Sequence, residues 1–130
     1  WQQPEEHKEE QDTYEQFLVK KDVQFIEKIH QVIEENLDNS DFNIDTIAST
    51  IGLSRSAFFK KLKSLTGFAP VDLVKEIRLN KSIKLIKNSD MSISEIAFAV
   101  GFKDSGYFSK CFRKKYDQTP REYMNEWRKG

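Results

Sequence analysis

A chain of 130 residues with 38% hydrophobic and 32% charged side chains has the length for one compact unit, or for two small lobes sharing a helix, and a modest core. A single cysteine, Cys111, excludes an internal disulfide and a cysteine-built zinc site, and with no apolar run near the ~20 residues of a membrane span and no signal-peptide pattern the segment reads as cytoplasmic. Net charge is zero but segregated: residues 1–50 carry thirteen Asp and Glu against four Lys and no Arg, whereas residues 51–130 carry seventeen Lys and Arg against eight acids, which puts positive potential on the later part.

Trp1 to Asp12 is rich in Gln and Glu and nearly free of apolar residues, so residues 1–20 are expected to form an acidic linker from an upstream domain. The first lobe is expected over residues 21–69. It opens with a helix from Asp22 to about Leu37, whose Val23, Ile26, Ile29, Val32, Ile33 and Leu37 follow helical spacing. Asn43 or Asp41 can cap a second helix, Ile44 to about Thr50, which leads through Gly52 to a third, Arg55 to Thr66, capped by Ser54 and ended by Gly67.

Pro70 opens the longest predicted helix, Val71 to about Lys87, a connecting rod of ~25 Å over residues 70–88 with Leu73, Ile77, Leu79, Ile83 and Ile86 as its apolar positions. Residues 89–130 make the second lobe. Ser92 and Glu95 form a capping box for a short helix carrying Ile93, Ile96, Ala97 and Val100. Gly101 is expected at positive φ, and Asp104 caps a helix with Phe108 and Phe112 four residues apart. Thr119 and Pro120 start a last amphipathic helix with Tyr123, Met124 and Trp127 facing inward.

The helix-turn-helix pattern thus occurs twice. Ile47, Ala48, Ile51 and Gly52 align with Ile96, Ala97, Val100 and Gly101; after a one-residue insertion in the second turn, Ser54, Phe58, Leu62 and Pro70 align with Asp104, Phe108, Phe112 and Pro120. The predicted fold is all-α, with two helix-turn-helix subdomains joined by a long connecting helix.

The stretch Ser92-Ile-Ser-Glu-Ile-Ala-Phe-Ala-Val-Gly-Phe-Lys-Asp-Ser-Gly-Tyr-Phe-Ser-Lys-Cys-Phe-Arg-Lys-Lys-Tyr116, followed by Thr119-Pro120 and Tyr123, resembles the C-terminal signature of the AraC/XylS family of bacterial transcription regulators. Ile77-Arg78-Leu79 falls where that family's connecting helix usually has Arg-Leu, and the resemblance covers about Val23 to Trp127. The acidic lead-in, Ser54-Arg55-Ser56 and Lys61 to Gly67 are most similar to output domains of hybrid two-component regulators. The resemblance implies about seven helices and binding to double-stranded DNA, with RNA polymerase as a further partner, a monomeric isolated domain, a dimeric full-length protein and an anchor, if any, elsewhere in that protein. Three departures stand out: Asp117 replaces the usual Gly, Ser82 stands where Ala is common, and Gly106 occupies a position that often reads a base.

The family's base-facing positions fall on Ser56, Phe59 and Lys60 in the first lobe; Lys60 suits guanine O6 and N7, and Phe59 suits either a thymine methyl or the core beside Phe58. The second lobe offers Ser105, Ser109, Lys110 and Arg113 on the matching face, Arg113 being equally suited to phosphate. Arg55, Lys61, Lys63, Arg78, Lys103, Lys114 and Lys115 are candidates for phosphate contacts, with the amides at the start of the Ile44 helix as a further anion site. Two direct repeats in one chain imply an asymmetric site, both recognition helices entering adjacent major grooves.

The rival from another class is a helical adaptor that binds protein through its Phe-rich faces, although an adaptor has no need of two polar-faced helices in matching frames. Aromatics at core spacing argue against an RNA-stacking platform. No enzyme is expected, and no cofactor. His7 and His30 lie apart in the acidic lead-in as surface residues, and there is no metal-spaced cluster, Gly-rich phosphate loop or nucleophile elbow.

Overall fold

The computed structural model describes the backbone of residues 4–128 and the side chains of residues 13–128, so the readings made on Trp1 to Gln3 and on the His7 side chain lie outside the described residues. Seven helices occur in order: α1 (Pro4–Glu35), α2 (Ile44–Ile51), α3 (Arg55–Thr66), α4 (Pro70–Asn88), α5 (Ile93–Ala99), α6 (Ser105–Tyr116) and α7 (Pro120–Arg128). Among the described residues there is no strand. None of these helices is long and apolar enough to cross a membrane.

The helix boundaries follow local chemistry. Asn43 accepts from the Thr46 amide at 3.0 Å, Ser54 from Ala57 at 3.2 Å and Asp104 from Gly106 at 2.6 Å, so each supplies an acceptor for an amide that the first helical turn leaves without one. Ser92 and Glu95 form the reciprocal capping box, at 3.2 and 3.3 Å. At the other ends, Gly52 (φ 85°) and Gly67 (φ 79°) take the left-handed conformation. Asp117 does the same work at φ 60°, the one non-glycine residue at positive φ among those described.

One continuous core runs through both lobes. Its buried members include Ile29, Val32, Ile33 and Leu37 of α1 and the turn after it, with Ile47, Phe58 and Leu62 in the first lobe, and Ile86 of α4 with Ile96, Val100, Phe108 and Phe112 in the second. Helix α4 serves both sides, burying Leu73 and Ile77 as well as Leu79 and Ile86. Ser82, also on α4, is fully buried and turns its hydroxyl back to the Leu79 carbonyl at 2.6 Å, so the small side chain needs no outside partner.

Two expectations change. Helix α1 does not start at Asp22 but runs unbroken from Pro4, through the stretch expected to be a linker. Residues 13–21 of it are exposed, and Val23 is 48% exposed, so helical hydrogen bonding continues past the point where packing begins. Trp127, expected to face inward, is 53% exposed. Its ring stacks beside Tyr123 at 6.2 Å and carries the Lys87 ammonium at 4.2 Å, which covers part of its apolar surface from outside.

Candidate nucleic-acid interface

Each helix-turn-helix unit is pinned by the same pair of residues. In the first, the Leu53 amide donates back to the Ala48 carbonyl at 3.0 Å; in the second, the Phe102 amide donates to Ala97 at 2.9 Å. Ala48 and Ala97 are both buried, because the paired helices cross where a larger side chain has no room. Helix α3 then buries Phe58 and Leu62, and α6 buries Phe108, Cys111 and Phe112.

That burial decides which residues face out. Phe58 is fully buried while Phe59 is 47% exposed, so Phe59 is a surface side chain and no part of the core. Ser56, Phe59 and Lys60 share the outer face of α3; Lys110 and Arg113 are exposed on α6, with Ser105 and Ser109 half-buried beside them. Lys60 and Lys110 each follow the core phenylalanine by two residues, and neither is engaged by an ion pair among the described residues. Gly106, the counterpart of Ser56, is exposed; a Cβ there would press on the capping Asp104 carboxylate at 3.1 Å, a contact that a small shift relieves.

The residues expected to meet phosphate are placed in several environments. Arg55 pairs with Asp45 at 3.6 Å and Lys103 with Asp41 at 3.1 Å, both on the surface, where such pairs contribute ~0–1 kcal/mol and exchange readily for a phosphate. Lys63 donates to the Gly67 carbonyl at 2.9 Å, and Lys61 lies 4.2 Å over the Phe25 ring. Lys115 is half-buried in a network with Glu76 and Asn80, and the Tyr116 hydroxyl donates to the same Asn80 oxygen at 3.0 Å. Burial, with Glu76 nearby, pushes the Tyr116 phenol up to about 12. Lys114 is exposed.

Arg78 differs from all of these. Its Nη2 reaches the Asn39 carbonyl at 3.4 Å, its Nε is buried without a partner, and burial pulls the guanidinium below its ordinary value. It sits between the lobes, in the wall of a cleft of about 480 Å³ that Phe42, Val74, Phe102, Lys103 and Tyr107 also line. At the start of α2, Asn43 accepts from both the Thr46 amide and the Thr46 hydroxyl, and Asp45 adds a carboxylate to the first turn, which weakens that helix end as an anion site.

Tyr107 and Arg128 were not among the residues expected from the sequence, although for one of them the repeat holds a signal. Tyr107, 51% exposed on α6, has only Ala57 at the matching place in α3 and so carried no repeat signal. Arg128, by contrast, was legible: the repeat extends upstream through Asn39-Ser-Asp41 and Asn88-Ser-Asp90 and downstream to Arg78 and Arg128. Arg128 donates through Nε to the Ile86 carbonyl at 3.1 Å and through Nη1 to Met91 at 2.8 Å, closing the second lobe on itself.

The family model described as "Helix-turn-helix domain" matches residues 47–126. The chain is 38% identical over 106 residues to "Histidine kinase P4" of Formosa agariphila, covering 82% of this chain and 8% of that protein. It is similar in structure to the C-terminal domain of the two-component response regulator yesN from Fusobacterium nucleatum, with a TM-score of 0.71, 30% identity, and 78% and 98% of the two chains covered. It is also similar to the DNA-binding domain of AdpA, a global transcriptional factor solved with a target DNA, with a TM-score of 0.73, 28% identity, and 80% and 92% covered. The chain spans between 8% and 38% of the length of the curated relatives that it matches. With the family model matching more than half of its residues, including both turns and both second helices, this protein belongs to the AraC-type helix-turn-helix family.

Proposed function

We propose that this chain is a sequence-specific double-stranded DNA-binding domain that regulates transcription in the cytoplasm, with α3 and α6 entering adjacent major grooves. The observation that carries this is the matched exposure of Lys60 and Lys110, each on the outer face of the second helix of its unit and each backed by a buried phenylalanine. AdpA's domain, similar over most of this chain, is in complex with DNA. Ser56, Phe59 and Lys60, and Ser105, Ser109, Lys110 and Arg113, are the base-reading set. Arg55 and Lys103 are able to trade their surface ion pairs for phosphates, Lys114 is exposed, and Lys61, Lys63 and Lys115 complete the phosphate-contact set.

The similarity to a histidine kinase and to a response-regulator domain supports a place as the output segment of a hybrid two-component protein. In that setting dimerisation and signal reception belong to the rest of the longer protein, and RNA polymerase is the downstream partner. Selection of duplexes from a random pool at fixed salt is the direct test. An asymmetric site with two half-sites about one helical turn apart is expected, with log K falling against log salt at a slope near −5 for roughly six neutralised phosphates. No enriched sequence, together with a slope near zero, defeats the proposal. Light scattering of this chain should give a monomer at micromolar concentration.

A further inference from the structure

Gly52 and Gly101 occupy the same place in the two repeats and the same left-handed conformation, φ 85° and 95°. Their surroundings differ. A Cβ built on Gly52 has no neighbour within 4 Å, whereas one on Gly101 would lie 2.1 Å from the Leu37 carbonyl oxygen and 2.9 Å from both Cζ and Nε of Arg78. Leu37 lies in the turn just after α1, the opening helix of the first lobe, and Gly101 is the turn of the second. The backbone of one lobe therefore rests directly on the recognition turn of the other, with the Arg78 guanidinium lying alongside.

The repeat shows what this contact displaces. In the second lobe, Arg128 Nε donates to the Ile86 carbonyl. Ile86 is the counterpart of Leu37, and Arg128 of Arg78, so the same bond in the first lobe would run from Arg78 Nε to the Leu37 carbonyl. It does not form: that carbonyl oxygen lies against Gly101, and Arg78 Nε is buried with no acceptor among the described residues. Arg78 keeps only the long contact to Asn39. The Asp41–Lys103 pair crosses the same seam at 3.1 Å, and beside it the lobes stand apart across the 480 Å³ cleft.

We propose that the Leu37 carbonyl, Gly101 and Arg78 form a joint that sets the pose of α6 relative to α3, and with it the half-site spacing that the protein accepts. This rests on the DNA-binding function proposed above. Gly101 and Arg78 are positioning residues: neither needs to touch a base. Gly101 stands four residues ahead of α6, so a shift forced at the turn is passed to the recognition helix through a short stretch of chain. One added base pair turns the second half-site by about 35° about the duplex axis, which a fixed joint cannot follow.

The test uses the duplex selected by the wild-type chain, the same duplex with one or two base pairs added between half-sites, and duplexes with either half-site scrambled. Wild-type affinity is expected to fall at least tenfold on adding one base pair. Gly101→Ala should lose about tenfold on the selected spacing, flatten or shift the spacing profile, and keep affinity for single half-sites within about twofold. Gly52→Ala, equally strained at its turn, should leave the spacing optimum in place. Arg78→Lys keeps the charge but loses the flat group against Gly101, and should broaden the profile; it carries the test if Gly101→Ala does not fold. A wild-type spacing profile in Gly101→Ala and Arg78→Lys, or a loss on single half-sites as large as on the full site, overturns the joint. A wild-type chain that selects no duplex overturns the DNA-binding function itself, and the joint with it.

Discussion

The two lobes are copies of one pattern built with different side chains. The first packs its recognition helix with aliphatic residues and one aromatic neighbour, Phe25 against Phe58 at 6.5 Å. The second chains Phe102, Phe108, Phe112 and Tyr123 together at centroid separations of 5.2 to 5.8 Å. Each lobe is closed by the helix that follows it, α4 for the first and α7 for the second, and only α4 is covered on both sides. The comparison teaches that the repeat conserves the turn and the buried phenylalanine while leaving the closure free to vary. The asymmetry between the lobes arises because one helix has to serve both lobes of a continuous core.

The largest expected effect tests whether that shared helix makes the lobes one folding unit. Phe58→Ala and Phe108→Ala each remove a fully buried ring and should each cost about 3–5 kcal/mol, read by urea denaturation. If α4 couples the lobes, each variant unfolds in a single transition followed identically by tryptophan fluorescence and circular dichroism; two transitions would mean that the lobes fold separately. Next come the matched lysines. Lys60→Ala and Lys110→Ala should each weaken binding to the selected duplex by ~1–3 kcal/mol and relax discrimination at one base pair, each in its own half-site. A uniform loss across sequences would make either one a phosphate contact.

Gly52→Ala should cost about 1–2 kcal/mol of stability, the penalty of a left-handed L-residue in open space, and Gly101→Ala more, because the Leu37 carbonyl blocks its methyl. Equal losses by thermal denaturation would dissolve the difference between the two turns. Ser54→Ala and Ser92→Ala should each cost about 1 kcal/mol by the same measurement, as the caps of matched units. The smallest effect is alkaline and confined to the second lobe. The Tyr116 phenol is held above its ordinary value of 10.0, at about 12, so its contribution to stability is complete below pH 10 and lost as pH rises through 12. Tyr116→Phe should flatten that part of the pH dependence of the melting temperature.

Much of the fold was legible because its determinants are close in sequence. Asn43, Ser54, Ser92 and Asp104 bond to amides two or three residues away, and Gly52, Gly67 and Gly101 act through their own φ. The spacing of Phe58 with Leu62, and of Phe108 with Phe112, placed the lysines on the outer face without reference to any other helix. The extent of α1 was not legible, since composition speaks of packing and the described helix continues where packing has stopped. Trp127 was misplaced because an amphipathic pattern cannot tell a buried ring from one that lies on the surface under a lysine.

What the sequence determined by itself is the pair of matching units, their caps, their turns and the lysine each presents, because every one of these depends on contacts within a turn or two of helix. What the tertiary structure alone decided is how Arg78, Lys115 and Gly101 are used. Arg78 and Arg128 are equivalent in the chain, yet Arg128 closes its lobe by hydrogen bonding while Arg78 lies half-buried against Gly101 with its Nε unpartnered. That difference comes from which surfaces meet once α4 has brought the lobes together, and residues about sixty positions apart, such as Leu37 and Gly101, carry no local mark of it.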